Sequence, residues 1–273
     1  MGRGQPHVRQ AAKLACSHLE LAANLPALLL LLALTTAGCT TASRNCCNQD
    51  AAAPGREQVL FNGTTLAGWK VHCKAADRPK GYWRVEAGCI VADAMTDANH
   101  DYVWLVTERE FGDFELRLKF QVFRDSPGNS GVQIRSRYEE AAGWLDGPQL
   151  DLHPPAPWRT GMIYDETRGV QKWIAPSVSK VTDVTPAMAV TNLVLYYSDQ
   201  LPAWNEFEIT ARGTRVRAVL NGVVVQEWDG AGVLDDATHR ARNVGMHGHI
   251  ALQIHRGDRL KIRFKDITIR ELN

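Results

Sequence analysis

Beyond about Val59 the chain alternates apolar and polar residues with a period of two, and long helical periodicity is missing. The clearest run is DFELRLKFQVF, Asp113 to Phe123. Phe114, Leu116, Leu118, Phe120 and Val122 share one face, and Glu115, Arg117, Lys119 and Gln121 share the other. This is a strand with one buried face. SGVQIRSR follows, with Val132 and Ile134 on one side and Gln133 and Arg135 on the other. WNEFEITARG and TRVRAVLNGVVVQEW predict a meander, whose Asn221-Gly222 supplies the two positive-φ residues of a tight hairpin. GHIALQIHRGDRLKIRFKDITIREL predicts a further hairpin turning at Arg256-Gly257-Asp258, with a phase shift between Phe264 and Ile267 that marks a bulge. Gly, Pro, Asn and Asp separate these runs, and no internal repeat is visible. The pattern predicts an all-β fold, a two-sheet antiparallel β-sandwich or jelly roll over residues 58–273.

One stretch uses its polar face differently. GPQLDLHPPAPWRTGMIYDE, Gly147 to Glu166, opens as a strand and puts an amide, a carboxylate and an imidazole at alternate positions. Alternate side chains point to opposite faces, so Leu150 and Leu152 belong between the sheets. Gln149, Asp151 and His153 share the other face, neighbours roughly 6.6 Å apart. The same parity turns Ile250, Leu252 and Ile254 inward and His249, Gln253 and His255 outward, and leaves Gln133 and Arg135 outward. Three strands thereby offer hydrogen-bonding groups suited to a hydroxyl-rich ligand, with Trp144, Trp158 and Trp173 in the surrounding segments for the flat faces of sugars. Each residue also has a plainer reading. Gln133 and Gln149 can be solvated sheet residues, Asp151 can pair with an arginine, and His255 can simply end a strand. Asp165, Glu166 and Arg168 can form a surface ion-pair cluster of small energetic value, and the tryptophans can be core anchors.

The composition is that of an ordinary globular protein, 45% hydrophobic and 22% charged over 273 residues. A formal net charge of +1, without a basic run in the body of the chain, argues against nucleic acid as a partner. The N-terminus changes the picture more. Arg3, Arg9 and Lys13 precede LPALLLLLAL and TTAGCTT, the form of an export signal over residues 1–38. Ala37-Gly38-Cys39 looks like a bacterial lipoprotein box, with Cys39 the lipidated residue; ordinary secretion is the alternative. Residues 39–57 have low apolar content and read as a flexible tether. The expectation is a protein of the bacterial cell envelope, in contact with membrane through its N-terminal lipid alone. Of six cysteines, Cys73 and Cys89 flank a turn-rich segment and can either pair or stay free. No CxxC, GxSxG, GxGxxG, P-loop or HExxH signature occurs.

The ordered set LFNGTTLAGW, FGDFELRLKFQV, GNSGVQIRS, GPQLDLHP, GMIYDETRG, WNEFEITARG, LNG and GHIALQIHRGDRLKIRFKDITIREL resembles the 3-keto-disaccharide hydrolase domain family over almost everything after Val59. The resemblance implies a concanavalin-like jelly roll, related in fold to laminarinase-type glucanases. It also implies secreted bacterial proteins, some acting on glycosides whose C3 hydroxyl has been oxidised to a ketone. The family's NSG…R element corresponds to Asn129, Ser130, Gly131 and Arg135. Its acidic strand motif corresponds to Gln149 and Asp151, YDE to Tyr164, Asp165 and Glu166 with Arg168 following, and LQxH to Leu252, Gln253 and His255. Pro148 stands where a related subgroup carries tyrosine.

A C3 ketone acidifies the proton on C2. A base removes it, the C1 oxygen leaves by β-elimination, and water adds to the resulting glycal, giving net hydrolysis. This route needs a base, an oxyanion stabiliser and a proton donor, but no carboxylate nucleophile. That suits Gln149, which stands where a double-displacement enzyme on this strand would carry a second carboxylate. The expected roles are Asp151 as base or metal ligand, His153 or His255 as proton shuttle, and Glu166 as second candidate base. Arg135 and Gln149 would hold the oxyanion and hydroxyls. Asn129, Trp158, Tyr164, Asp165, Arg168 and Gln253 complete the substrate-binding candidates. A divalent cation bridging O2 and O3 is a candidate cofactor, with Asp151, His153 and Glu166 as candidate ligands. The rival expectations are a non-catalytic carbohydrate-binding module using the same face, and an adhesion domain without sugar affinity.

Overall fold

A computed structural model describes residues 55–273. The expected export signal, Cys39 and the expected tether as far as residue 54 lie outside the described residues. The fold is two antiparallel sheets of eight strands each. The first runs in the order Val223–Asp229, Arg215–Leu220, Asn205–Arg212, Phe114–Val122, Lys261–Glu271, Cys89–Asp93, Trp83–Glu86, and Glu57–Val59 pairs with Lys261–Glu271. The second runs Lys172–Ala175, Ile163–Asp165, Pro148–Leu152, Ser130–Glu139, Gly248–Ile254, Val103–Phe111, Trp69–Cys73, and Trp144–Asp146 pairs with Ser130–Glu139. Ala237–Arg242 is a single short helix capped by the Asp236 side chain.

The period-two pattern explains the core. Phe114, Leu116, Leu118 and Phe120 of the first sheet meet Val132, Ile134, Leu150, Leu152, Ile250 and Leu252 of the second in one apolar cluster. The meander forms as expected, turning at Asn221 (φ 50°) and Gly222 (φ 81°). The last strand breaks register between Lys265 and Thr268, with Asp266 at φ 50°, which is the expected bulge.

Two expectations are corrected, and one alternative left open is decided. Gly248–Ile254 and Lys261–Glu271 are not a hairpin: they lie in different sheets, and the segment through Arg256-Gly257-Asp258 crosses between them. Alternation shows that each strand has one buried face, but not whether consecutive strands pair side by side or stack across the core. Glu57, assigned to the tether, already pairs with Arg270, because the chain's edge strand starts there. Cys73 and Cys89 are both buried and free, one on each sheet.

Candidate functional site

The second sheet buries both its faces. Its outer face carries a second apolar cluster: Trp104, Val106, Leu145 and Ala251, packed by Tyr102, Tyr138 and Trp144. These alternate with core residues such as Val103, Leu105 and Ile250. Strand register then lays a continuous row across this face. Val106 pairs with Ala251, Ala251 with Gln133, Gln133 with Gln149, and Gln149 with Tyr164. The neighbouring row pairs Gln253 with Trp104 and Asp151 with Gly131. Gly131 matters for what it lacks. A Cβ there would sit 2.3 Å from Cδ of Gln149, so the Gln149 side chain lies directly over it.

At the end of these rows lies a cavity of about 260 Å³, lined by Asp151, Glu166, His255, Gln149 and Asn129 and walled by Tyr102, Trp144, Tyr164, Trp173 and Arg159. Polar groups in and around it are unusual in being buried without partners. Side-chain oxygens of Asn129, Gln133, Gln149 and Gln253, Oδ2 of Asp151 and the Nδ1 atoms of His153 and His255 have no aligned hydrogen bond. Buried polar groups are ordinarily satisfied, so a concentration of orphans on one face marks a place built for a polar ligand.

The electrostatics converge on the same point. Asp151 is 1% exposed, and burial raises its pKa to about 6 although the Arg159 guanidinium, 3.1 Å from Oδ2, opposes the rise. Glu166 is 4% exposed; burial raises it to about 7, opposed by the Gln253 amide at 3.4 Å and by His255, and reinforced by the charge of Asp151. Burial disfavours the His255 imidazolium, yet Asp258, Glu166 and Asp151 outweigh it and leave the pKa raised. His255 Nδ1 is 3.3 Å from Asp258, and Nε2 is 3.2 Å from the Tyr102 hydroxyl. Two carboxylates that titrate near neutrality and a histidine linked to a tyrosine are the components of a proton-transfer site.

Several sequence candidates are placed elsewhere. Arg135 is fully buried and faces away from the cavity. Its side chain binds Asp113 Oδ1 at 2.8 Å and the carbonyls of Gly112, Gly213 and Gly245 at 2.7, 2.5 and 3.2 Å. The cause is a bulge: Arg135 adopts φ 49° where register slips opposite His249 and Ala251, and parity fails beyond that point. Asp165 has the parity of Ile163, not of Tyr164, and is buried against His239 Nε2 at 2.9 Å. Arg168 clasps Asp146 through Nε at 3.0 Å and Nη2 at 2.6 Å. Trp158 is half-buried on the short turn Pro157–Arg159, and it is its neighbour Arg159 that reaches the cavity. His153 lies just past the strand end, half-buried and outside the cavity lining; burial and Arg159 push its pKa down to about 4. Among the described residues no three His, Cys, Asp or Glu side chains are gathered closely enough to share one cation. Asp151, His153 and Glu166 therefore do not form the ligand set expected of them.

Sequence reasoning missed Tyr102, Trp104 and Arg159. The first two were legible in YVWLV, where aromatics at alternate positions give both faces of one strand an apolar partner. Arg159 had no local signal. Its guanidinium is held between Asp151 and the Trp173 ring, 5.0 Å from the ring centroid, and both partners come from other elements.

The family model of the 3-keto-alpha-glucoside-1,2-lyase-like domain matches residues 56–270. The chain belongs to this family. The match covers every residue of the cavity and the sandwich to within one residue of its last strand, so the 3-keto-alpha-glucoside-1,2-lyase-like domain accounts for nearly all of the described fold. A comparison with curated proteins finds no match. Among solved structures, a Parabacteroides distasonis protein described as a candidate glycosyl hydrolase is similar at 18% identity and TM-score 0.50, covering 80% of this chain and 94% of its own. Another from the same organism, described in the same terms, has 19% identity and TM-score 0.50, covering 80% and 100%. At these identities the likeness is one of fold: the lyase-like domain shares its two-sheet architecture with these two structures.

Proposed function

We propose that the protein cleaves 3-keto-glycosides by removing the C2 proton and eliminating the C1 substituent, with hydration of the product completing a net hydrolysis. The observation that carries this reading is the pairing of Asp151 and Glu166, two buried carboxylates with raised pKa values, with His255 around one cavity. Membership of the lyase-like family supports the substrate class.

Asp151 takes the C2 proton, the C2–H electron pair becomes the C2–C3 π bond of an enediolate, and the carbonyl π pair moves onto O3 as its negative charge. Arg159, ion-paired with Asp151, and the Gln149 side-chain NH2, which no hydrogen bond engages among the described residues, are the donors available to that oxyanion. Arg159 thus replaces Arg135 in the oxyanion role. As the enediolate collapses, the C1–O bond breaks and the departing oxygen takes a proton from His255, whose pKa is raised by nearby Asp258 against the effect of burial, and which Tyr102 orients. Glu166, partly ionised near neutrality, then takes a proton from the water that adds at C1 of the unsaturated ketone, while Asp151 gives a proton to C2. Tyr164, Trp144 and Tyr102 present ring faces to the sugar. No step is assigned to a metal ion.

Incubation of methyl 3-keto-glucoside with the protein in D₂O tests the reaction. Deuterium at C2, an unsaturated 3-ketone and then free 3-keto sugar are expected; absence of all three would remove the elimination mechanism. The aromatic walls also suit a carbohydrate-binding module, and that reading predicts saturable sugar binding with no product. Lipid attachment at Cys39 and a place in the bacterial envelope complete the proposal.

A further inference from the structure

A second, larger cleft of about 720 Å³ opens beside the first, and Tyr102 and His255 line both. The inner cavity falls below the roughly 300–1,000 Å³ usual for a small-molecule site, and so holds little more than one sugar ring. A glycoside has two parts, and the second must extend past the residues at the junction. His255 is the group assigned to protonate the departing oxygen, so what lies on its far side is the leaving group.

The lining of the outer cleft is charged, and most of its charges are committed. Lys80 is held by Asp77 at 3.1 Å, by Asp97 at 3.3 Å and by the Asn99 carbonyl. Lys74 is paired with Asp101. Asp77 also accepts from the Asp101 N–H at 3.0 Å, and Asp101 from the Tyr102 N–H at 2.9 Å. Arg256 is different. It is exposed, lines the cleft next to His255, and no side-chain hydrogen bond or ion pair engages its guanidinium among the described residues. The carboxylates that line the cleft with it, Asp77 and Asp101, each have a lysine partner, and Arg256 acts on Asp101 through its charge alone, so its donors are free. A guanidinium fork recognises a carboxylate through two parallel hydrogen bonds, which an isolated hydroxyl cannot match.

We infer that the outer cleft is the leaving-group subsite and that Arg256 selects leaving groups bearing a carboxylate, such as sugar acids or hydroxy acids, over neutral alcohols. The assignment of its role rests on the proposed elimination, but its anion preference can be measured without any reaction. The probes are the α-glucosides of glycerate and of glycerol, which differ in one carboxylate, each used unoxidised for calorimetric binding and as the 3-keto form for turnover. Both are compared in the wild type, Arg256→Ala and Arg256→Lys. Arg256 is exposed and unbonded, so neither substitution threatens the fold.

The wild type is expected to prefer the glycerate glycoside by about tenfold in affinity and in kcat/KM, equivalent to about 1.4 kcal/mol. That preference should fall towards unity in Arg256→Ala, stay partial in Arg256→Lys, and shrink as salt is raised. A wild-type ratio near one, or a ratio unchanged in Arg256→Ala, overturns the subsite whatever the turnover. Binding preference without turnover of either 3-keto form overturns the leaving-group assignment together with the elimination reading. Turnover without preference leaves the elimination standing and removes only the subsite.

Discussion

Replacing Asp151 by asparagine separates what the site costs from what it does. The folded protein holds this carboxyl at about 6, against the ordinary 3.8, because burial disfavours its charged form more than Arg159 favours it. Between those two values the native state binds more protons than the unfolded chain, so wild-type stability falls as pH rises through that window. Above pH 6 the accumulated cost is about 3 kcal/mol. Asp151→Asn keeps the shape, removes the charge, and leaves Arg159, 22% exposed, able to reach solvent. The variant should therefore equal the wild type in stability near pH 3.5 and exceed it by about 3 kcal/mol above pH 6, on the order of 6–12 °C in Tm for a domain of this size. Its turnover should fall by about 10² to 10⁴, the usual worth of a general base. Urea unfolding at pH 3.5, 5 and 7, run beside kinetics on a 3-keto-glucoside, reads both quantities. Parallel stability curves would refute the desolvation argument. An unchanged rate would eliminate Asp151 from the mechanism.

Four further outcomes are expected. Glu166→Gln should lower kcat/KM by about 10² to 10⁴ and flatten the part of the pH–rate profile that follows ionisation near 7, where the buried carboxyl titrates. Arg135→Met should cost about 3–5 kcal/mol in urea unfolding, since it strands Asp113 and three carbonyls, while KM of the folded fraction stays the same. A raised KM would return Arg135 to the binding site. Gly131→Ala should displace the Gln149 amide and reduce kcat/KM, because the new methyl would overlap Gln149 Cδ and Cγ; a crystal structure with Gln149 unmoved would contradict this. Cys39→Ser should shift the protein from the membrane to the soluble fraction on cell fractionation, and no shift would exclude lipid attachment there.

The extent to which sequence exposed this site follows from the physics of strands. Parity is a strictly local rule, and it serves wherever a strand stays regular. Leu150 and Leu152 reach the core, and Gln149 and Asp151 reach the cavity, because the Pro148–Leu152 pairing is unbroken. Gln253 and His255 follow from the same rule on Gly248–Ile254. The rule fails at Arg135 because a single bulge residue inverts the faces beyond it, and nothing in SGVQIRSR announces the bulge. It fails differently at Asp165 and Glu166. These read as one acidic pair, yet their opposite parity sends Asp165 to His239 behind the sheet and Glu166 into the cavity. Arg159 was beyond any such rule, since its position is fixed by an ion pair and a ring face contributed by separate strands. The distinction has a consequence for the chemistry. The residues legible from parity include the proposed acid–base groups Asp151 and His255, whereas Arg159, the guanidinium proposed to meet the developing oxyanion, sits on a turn after the strand. Its placement depends on Trp173, so Trp173→Ala should weaken catalysis through Arg159 without touching the carboxylates. Loss of kcat with an unaltered pH profile would identify that route, and a shifted profile would show that Trp173 acts on the acid–base pair instead.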